Sequence, residues 1–283
     1  GMAFDGSAVE GFVREGESDM VAMPDPNTFS ILPWRPRQNA VARMFCDILR
    51  PTGAPFEGDP RHVLRQSITR AETQGFTFLV GPEMEHFYFR NAESTEPLDF
   101  GGYFDLTPLD TATDLRRDTV LTLEEMGIPV EYSHHEVASS QHEIDLRHTD
   151  ALTMADTVMT YRHVVKEVAI KNGVYATFMP KPIAEQNGNG MHVNMSLFRG
   201  AENAFYESAN PEKLSETAYQ FIAGLLRHAP ELACVCNQWV NSYKRLVPGT
   251  EAPTYVSWAT VNRSDLVRVP AYRPGKESSV RVE

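Results

Sequence analysis

Glu83 and Glu85 stand two residues apart in the run VGPEMEHFYF. Such a run of apolar and aromatic residues reads as a strand. The two-residue period then puts both carboxylates on one face with Phe87 and Phe89, and His86 on the other, where a structural role is expected. Two like charges on an aromatic face repel, and burial adds to the cost. A divalent cation, a retained proton, or an edge strand with one solvated face would each resolve this. For a cation, hard oxygen ligands favour Mg²⁺ or Mn²⁺ over zinc.

Three further stretches carry candidate chemistry. In NGNGMHVNMS (187–196) the chain alternates from Met191, so that His192, Asn194 and Ser196 share a face beside a glycine turn that lets a ligand approach backbone. That suits a metal–phosphate site, although this stretch taken alone reads more readily as a strand with one solvated face. Glu136 and Glu143 flank the Ser139-Ser140 turn, and their carboxylates converge if the flanking strands pair, although either one alone reads more readily as an ordinary surface glutamate. His134, His135 and His142 beside them serve metal binding or packing. Arg245, next to Lys244, precedes a turn-rich loop carrying Glu251. An arginine clamps a carboxylate bidentately, and a glutamate on a mobile loop closes over a reacting group, although a plain solvated loop also fits. Arg263, Arg268 and Arg281 follow, a density explained by phosphate binding or by a salt-bridged surface.

The remaining pattern alternates strands and helices. Residues 1–56 are turn-rich and short-stranded, with Val41–Leu49 alternating as a strand. A helix is expected from Pro60, with Asp59 as its cap, to about Gln74. Residues 76–90 read as a pair of strand-like runs, 112–126 as a helix, and 128–137 and 141–147 as strands. The clearest helix spans 155–173, stopped by Gly173. A strand follows over Tyr175–Pro180, a helix starts at Asn210-Pro211, and strand and loop are expected from Trp239 onward. This is an α+β pattern with an antiparallel sheet.

At 283 residues the chain can bury a large core. With 26 basic and 38 acidic side chains and a net charge of −12, it argues against a nucleic-acid surface but not against a local phosphate pocket. The three cysteines, Cys46, Cys234 and Cys236, are too few for a disulfide framework and read as buried thiols in a reducing cytoplasm. There is no long apolar run for a membrane span and no GxxxxGK[ST] or GxGxxG loop, so a nucleotide would be held another way. Gly1 before Met2 reads as a tag remnant.

Taken together, FDGSAVEGF, ESDM, GPEMEHF, GGYFDL, HHEVASSQHEIDL, ATFMPKP, NGNGMHVNMSLF, NSYKRLVPGTEAP, NRSDLVRVP and RVE make the chain resemble type I glutamine synthetase of the bacterial and archaeal class over essentially its whole length. The resemblance implies a partial β-grasp amino-terminal domain (1–56) and a catalytic domain (57–283) with a curved antiparallel sheet and flanking helices. It implies a ligase joining ammonia to the γ-carboxylate of L-glutamate, with ATP as co-substrate and two or more Mg²⁺ or Mn²⁺ ions per site. The implied assembly is a homo-oligomer of two stacked hexameric rings, with active sites between subunits.

By the same resemblance, Glu85, Glu136 and Glu143 hold one metal, and Glu83, His192 and Glu283 hold a second. Asn187, Gly188 and Arg245 bind glutamate. Arg263, Arg268 and Arg281 face the phosphates, with Glu131 and Ser196 near the nucleotide. Asp5 of a neighbouring subunit takes the ammonium proton, Asp19 and Tyr103 help form the ammonium pocket, and Glu251 is the flap. The family continues beyond both ends, so the chain reads as truncated. Several loop residues depart from the pattern: Ala8 and Asn189 for serines, Ser139-Ser140 for Pro-Gly, Glu185 for glycine and Thr250 for tyrosine. Ala8 and Thr250 leave open a ligase for a larger amine, and the missing carboxy-terminal part leaves open a non-catalytic homologue.

Overall fold

Among the described residues, five short strands begin the chain. β1 (Met2–Asp5) pairs with β2 (Asp19–Pro24). After a hairpin of β3 (Ser30–Ile31) with β4 (Ala42–Arg43), β5 (Cys46–Leu49) pairs with the other edge of β2, all antiparallel. The computed structural model describes residues 1–9, 19–272 and 279–283; residues 10–18, which hold the end of FDGSAVEGF and the start of ESDM, lie outside that set. The single strand expected over Val41–Leu49 is broken at Met44 and Phe45. There the Phe45 amide donates to the Thr28 hydroxyl (2.7 Å) and the Phe45 carbonyl accepts from Asp25 N (2.8 Å), so this backbone serves a neighbouring turn.

The second unit starts at α1 (Pro60–Thr73), capped by the Asp59 carboxylate on Arg61 N (3.0 Å) with Pro60 at its first position. β6 (Thr77–Phe89) follows as one strand of 13 residues, not the expected two runs. Gly81-Pro82 does not interrupt it because of what lies beside it. α2 (Thr113–Glu125), β7 (Val130–His135), β8 (Gln141–Leu146) and β9 (Thr149–Asp150) come next, and β9 pairs with Leu79–Val80 while β8 pairs with Glu83–Phe87. Pro82 thus sits in the gap between two partner strands, where its missing N–H costs no ladder bond on that side.

α3 (Ala151–Lys171) starts earlier than the expected 155, because the Asp150 carboxylate caps Thr153 N (3.0 Å). β10 (Tyr175–Thr177) adds to β6, and β11 (Met191–Arg199) pairs with β6 along eight residues before turning into β12 (Glu202–Asn203). α4 (Glu216–Arg227) does not start at Asn210-Pro211. Asn210 instead accepts from Glu212 N in a turn (2.8 Å), Lys213 takes a positive φ of 60°, and Ser215 caps Ala218 N. Two helices follow, α5 (Ala229–Cys236) and α6 (Val240–Arg245), the second of them where strand and loop were expected from Trp239 onward. β13 (Tyr255–Ala259), β14 (Asp265–Arg268) and β15 (Val280–Val282) complete a ten-stranded sheet with the main order β13-β14-β15-β11-β6-β8-β7. The sheet is antiparallel, as expected, except for the parallel pair β13–β14.

The strand period now decides which side chains are core. Met84, Tyr88, Ile144 and Leu146 face α2 and α3, burying themselves against Leu123, Met154, Tyr161, Val164 and Val165. Each such side chain contributes roughly 1.5–3 kcal/mol. His86, on this face, is fully buried against Tyr161, whose hydroxyl lies 3.2 Å from its Nδ1, the structural role expected. A second core beneath β14 and β15 holds Val267, Val280, Ala218 and Ile222. The other face of β6, β8 and β11 lines a cleft.

One face of α3 receives the amino-terminal unit. Thr160 accepts from Arg43 and His163 meets the Trp34 ring edge-on at 5.2 Å, while Asp156 takes a double hydrogen bond (2.8 and 3.0 Å) from Arg61 of α1, which itself reaches Asp25 and Asp47 of that unit. The cysteines depart from expectation: Cys46 is half-buried, and Cys234 and Cys236 are exposed on α5 and not buried.

Candidate active site

Register brings the carboxylates together. Glu85 lies directly across from Glu143, and Glu83 sits between His192 on one side and Asp145 on the other. His134 is opposite Glu143 on the next strand over. The cleft is lined by Glu83, Glu85, Glu136, Glu143, His192 and Glu283 together with Tyr103, His134, Asn187, Gly188, Glu251, Arg263, Arg268 and Arg281. A second cavity, lined by Glu131, Ser196, Tyr132 and Phe198, shares Glu83, Asp145, Arg268 and Arg281 with it. The first measures about 190 Å³ and the second about 790 Å³, so only the second has room for a nucleotide. Arg245 lies behind the first, 7% exposed. Asp5 and Asp19 line neither cavity; they face each other in register on β1 and β2, with Asp5 held by the Ser7 amide (2.9 Å) and hydroxyl.

The six candidate metal ligands form two groups. In one, Glu85 accepts from Gln141 Nε2 (2.8 Å) and from Gly190 N (2.9 Å), and Glu136 accepts from Val137 N (2.9 Å). Glu143 Oε2 stands 3.2 Å from His134 Nε2, while its Oε1 is buried with no hydrogen-bond partner among the described residues. Burial, then Asp145, Glu85 and Glu136, push the Glu143 carboxyl up to about 11. Burial and Glu83 push Asp145 up to about 7, and burial also raises Glu85.

In the other group, Glu83 accepts from Arg281 Nη1 (2.7 Å) and Asn194 Nδ2 (2.7 Å). Burial alone would raise its pKa, but His192, Arg281 and Asn194 outweigh it and hold it at about 2. His192 Nδ1 accepts from Arg281 Nη2 (2.6 Å), leaving Nε2 aimed at Glu283 (3.6 Å) and Glu85 (3.8 Å). Glu283 pairs with Arg268 (2.8 Å) and Arg281 (2.9 Å).

The donor set fits divalent cations. Glu85, Glu136 and Glu143 are hard oxygens buried together, Glu143 keeps an unpartnered oxygen, and protons are what such a cluster must otherwise retain. Interatomic reach also groups Glu83, Glu143 and His192, and His134, Glu136 and Glu143, so Glu143 is shared between the two halves and His134 stands within the first.

The glycines of 187–190 serve this packing. A Cβ at Gly190 would lie 2.6 Å from His192 Nε2 and 2.7 Å from Arg245 Nη2, and one at Gly188 would collide with the Pro180 carbonyl. Asn189 N donates to that carbonyl (2.8 Å), and the Asn189 side chain donates to the Met179 carbonyl (2.9 Å). Arg245 is left with Nε and Nη2 unpartnered among the described residues, facing the glycine turn. Over the mouth, Glu251 accepts from Arg263 (2.9 Å) and Asn187 (3.2 Å). The Thr250 hydroxyl turns back onto the Arg245 and Val247 carbonyls (3.2 and 2.9 Å).

Sequence reading missed Asp145 and Gln141. Asp145 follows Glu143 at the two-residue spacing that flagged Glu83 and Glu85, so the signal was present. The orienting role of Gln141 depends on a partner 56 residues away and had none.

Over residues 57–283 the chain matches the family model described as "Glutamine synthetase, catalytic domain", and over 1–51 that described as "Glutamine synthetase, beta-Grasp domain". It is 55% identical to a glutamine synthetase of Mycolicibacterium smegmatis, over all of this chain and 65% of that protein. It is 54% identical to one of Methanosarcina mazei, over 96% of this chain and 62% of that protein. A cryo-EM structure of Plasmodium falciparum glutamine synthetase matches it with a TM-score of 0.91 at 29% identity, over 100% of this chain and 61% of that one. The chain therefore spans less than two thirds of these relatives.

Proposed function

The chain belongs to the glutamine synthetase family, and on that footing we propose that the whole protein makes glutamine from glutamate, ammonia and ATP, releasing ADP and phosphate. The observation that carries this reading is the buried Arg245 guanidinium, its Nε and Nη2 unpartnered among the described residues behind Gly188 and Gly190, beside a carboxylate cluster that shares Glu83, Asp145, Arg268 and Arg281 with the larger cavity.

A carboxylate is a poor electrophile. Transfer of the ATP γ-phosphoryl group onto it gives an acyl phosphate and ADP; ammonia then attacks the acyl carbon and phosphate leaves. In this reading Arg245, Asn187 and Gly188 hold glutamate, and Glu131 and Ser196 stand beside the nucleotide. Arg263, Arg268 and Arg281 carry the positive charge for the phosphates. Divalent cations, Mg²⁺ or Mn²⁺, held by Glu85, Glu136 and Glu143 and by Glu83, His192 and Glu283, would neutralise phosphate charge during transfer. Asp5 of a neighbouring subunit accepts the ammonium proton, with Asp19 and Tyr103 in the ammonium pocket, and Glu251 shields the acyl phosphate from water.

The same proposal includes a division of the chain near residues 56/57, a cytoplasmic location and a ring-shaped homo-oligomer of two hexamers. Among the described residues no helix is long and apolar enough to cross a membrane. Glutamine formation and particle mass, measured on the whole protein with ammonia and separately with methylamine, test the reaction, the acceptor and the assembly. Absence of any γ-glutamyl product would overturn the reading.

A further inference from the structure

Lys181 is 7% exposed, unusual for a lysine, and lies outside every role assigned above. Its ammonium donates to the backbone carbonyl of Gln186. Its own main chain is gripped on both sides by one side chain: Lys181 N donates to Asn241 Oδ1 (2.7 Å), and Asn241 Nδ2 donates to the Lys181 carbonyl (3.0 Å). Asn241 and Arg245 are four apart on α6 and share a face, so one short helix holds both Lys181 and the guanidinium of the site.

The stems of Lys181 and Arg245 then close on Gly188 from two directions, each 3.3 Å from where a Cβ would stand. Beyond Gln186 the connection continues: the Gln186 side-chain oxygen accepts from Ser139 N (2.8 Å), in the turn between Glu136 and Glu143. Asn241, Lys181, Gln186 and Ser139 thus form a chain of hydrogen bonds around the loop that carries Asn187 and Gly188. A charge-assisted bond to a half-buried carbonyl is among the stronger ways to fix a loop.

We infer that Lys181 is a positioning residue of the glutamate-binding loop, holding Gln186–Gly188 against Arg245 so that affinity for the amino-acid substrate, and not the rate of phosphoryl transfer, depends on it. This rests on the glutamine synthetase reading. The test is steady-state kinetics of the whole protein and its Lys181→Met variant, with hydrogen exchange at the Asn189 amide. The variant is expected to raise KM for glutamate about tenfold, with kcat and KM for ATP within about threefold and faster Asn189 exchange. An unchanged KM for glutamate would overturn the inference, as would a proportional loss across kcat and both KM values, the signature of a general structural role. If Lys181→Met does not fold, Asn241→Ala loosens the same lysine and must raise KM for glutamate; no change there overturns it too. A wild-type protein that forms no glutamine sinks the underlying reading, an outcome distinct from an active enzyme indifferent to residue 181.

Discussion

His192 stands directly across from Glu83 in the register of β11 and β6, and Arg281 from a third strand donates to both, at 2.6 and 2.7 Å. A one-residue slip of β11 would turn His192, Asn194 and Ser196 to the core face together and bring Val193 and Met195 to the cleft. The long pairing of β11 with β6 therefore fixes the chemistry as well as the fold.

Glu143→Gln separates cation binding from stability. The wild-type carboxyl is pushed up to about 11, so without a cation the folded state keeps a proton that the unfolded chain has released above about pH 4.3. Stability of the metal-free protein therefore declines as pH rises above that value, and Gln removes the conflict. The metal-free variant is expected to melt at or above the wild type at pH 8, and the rise in Tm that Mg²⁺ is expected to give the wild type should be absent from it. A variant that keeps the full Mg²⁺ shift would contradict Glu143 as a ligand.

Arg61→Met tests the joint between the two units. Arg61 reaches Asp25, Asp47 and Asp156, and its hydrogen bond to Asp25 holds that carboxyl below the usual range. A depressed carboxyl contributes stability that is present above its unfolded pKa of about 3.9 and lost as pH falls through the lower folded value. The variant should lose about 2 kcal/mol or more at pH 7 in urea unfolding, and the difference from wild type should shrink below pH 4. An equal loss at both pH values would show that packing, not charge, is involved.

Gly190→Ala forces a methyl group to within 3 Å of His192 and Arg245. Displacement on the order of 1 Å costs roughly 100-fold in kcat/KM, with the fold retained by circular dichroism. Gly224→Ala, on α4 with open space around it, serves as the control and should raise helix stability by about 0.5–1 kcal/mol. Activity of Gly190→Ala within threefold of wild type would argue against close approach at this turn.

Glu251→Ala removes the residue that bridges Arg263 and Asn187 over the cleft. This ion pair is exposed, so Tm should barely move. The readout is the ratio of phosphate released to glutamine formed, which should rise clearly above one as water reaches the acyl phosphate. A ratio that stays at one would mean Glu251 does not exclude water.

Much of the site was legible because its signals are local. Glu83 with Glu85, and His192 with Asn194, announce themselves through the strand period, and Asp59-Pro60 marks a helix start within one residue. Signals that depend on distant partners were not legible. β6 reads as two runs because Gly81-Pro82 looks like a break, and only the gap between β9 and β8 makes that proline harmless. α4 starts at Glu216, capped by Ser215, because Asn210 spends its side chain on a turn. Gln141 and Lys181 carry no local mark; their partners lie in other elements or hang on loop geometry.

The most direct measurement is the stoichiometry of the reaction by the whole protein with glutamate, ammonia and Mg-ATP. One glutamine per phosphate released, with no phosphate release when glutamate is omitted, is the predicted result. Phosphate release indifferent to glutamate, or none at all from a folded protein with Mg²⁺ bound, would contradict it.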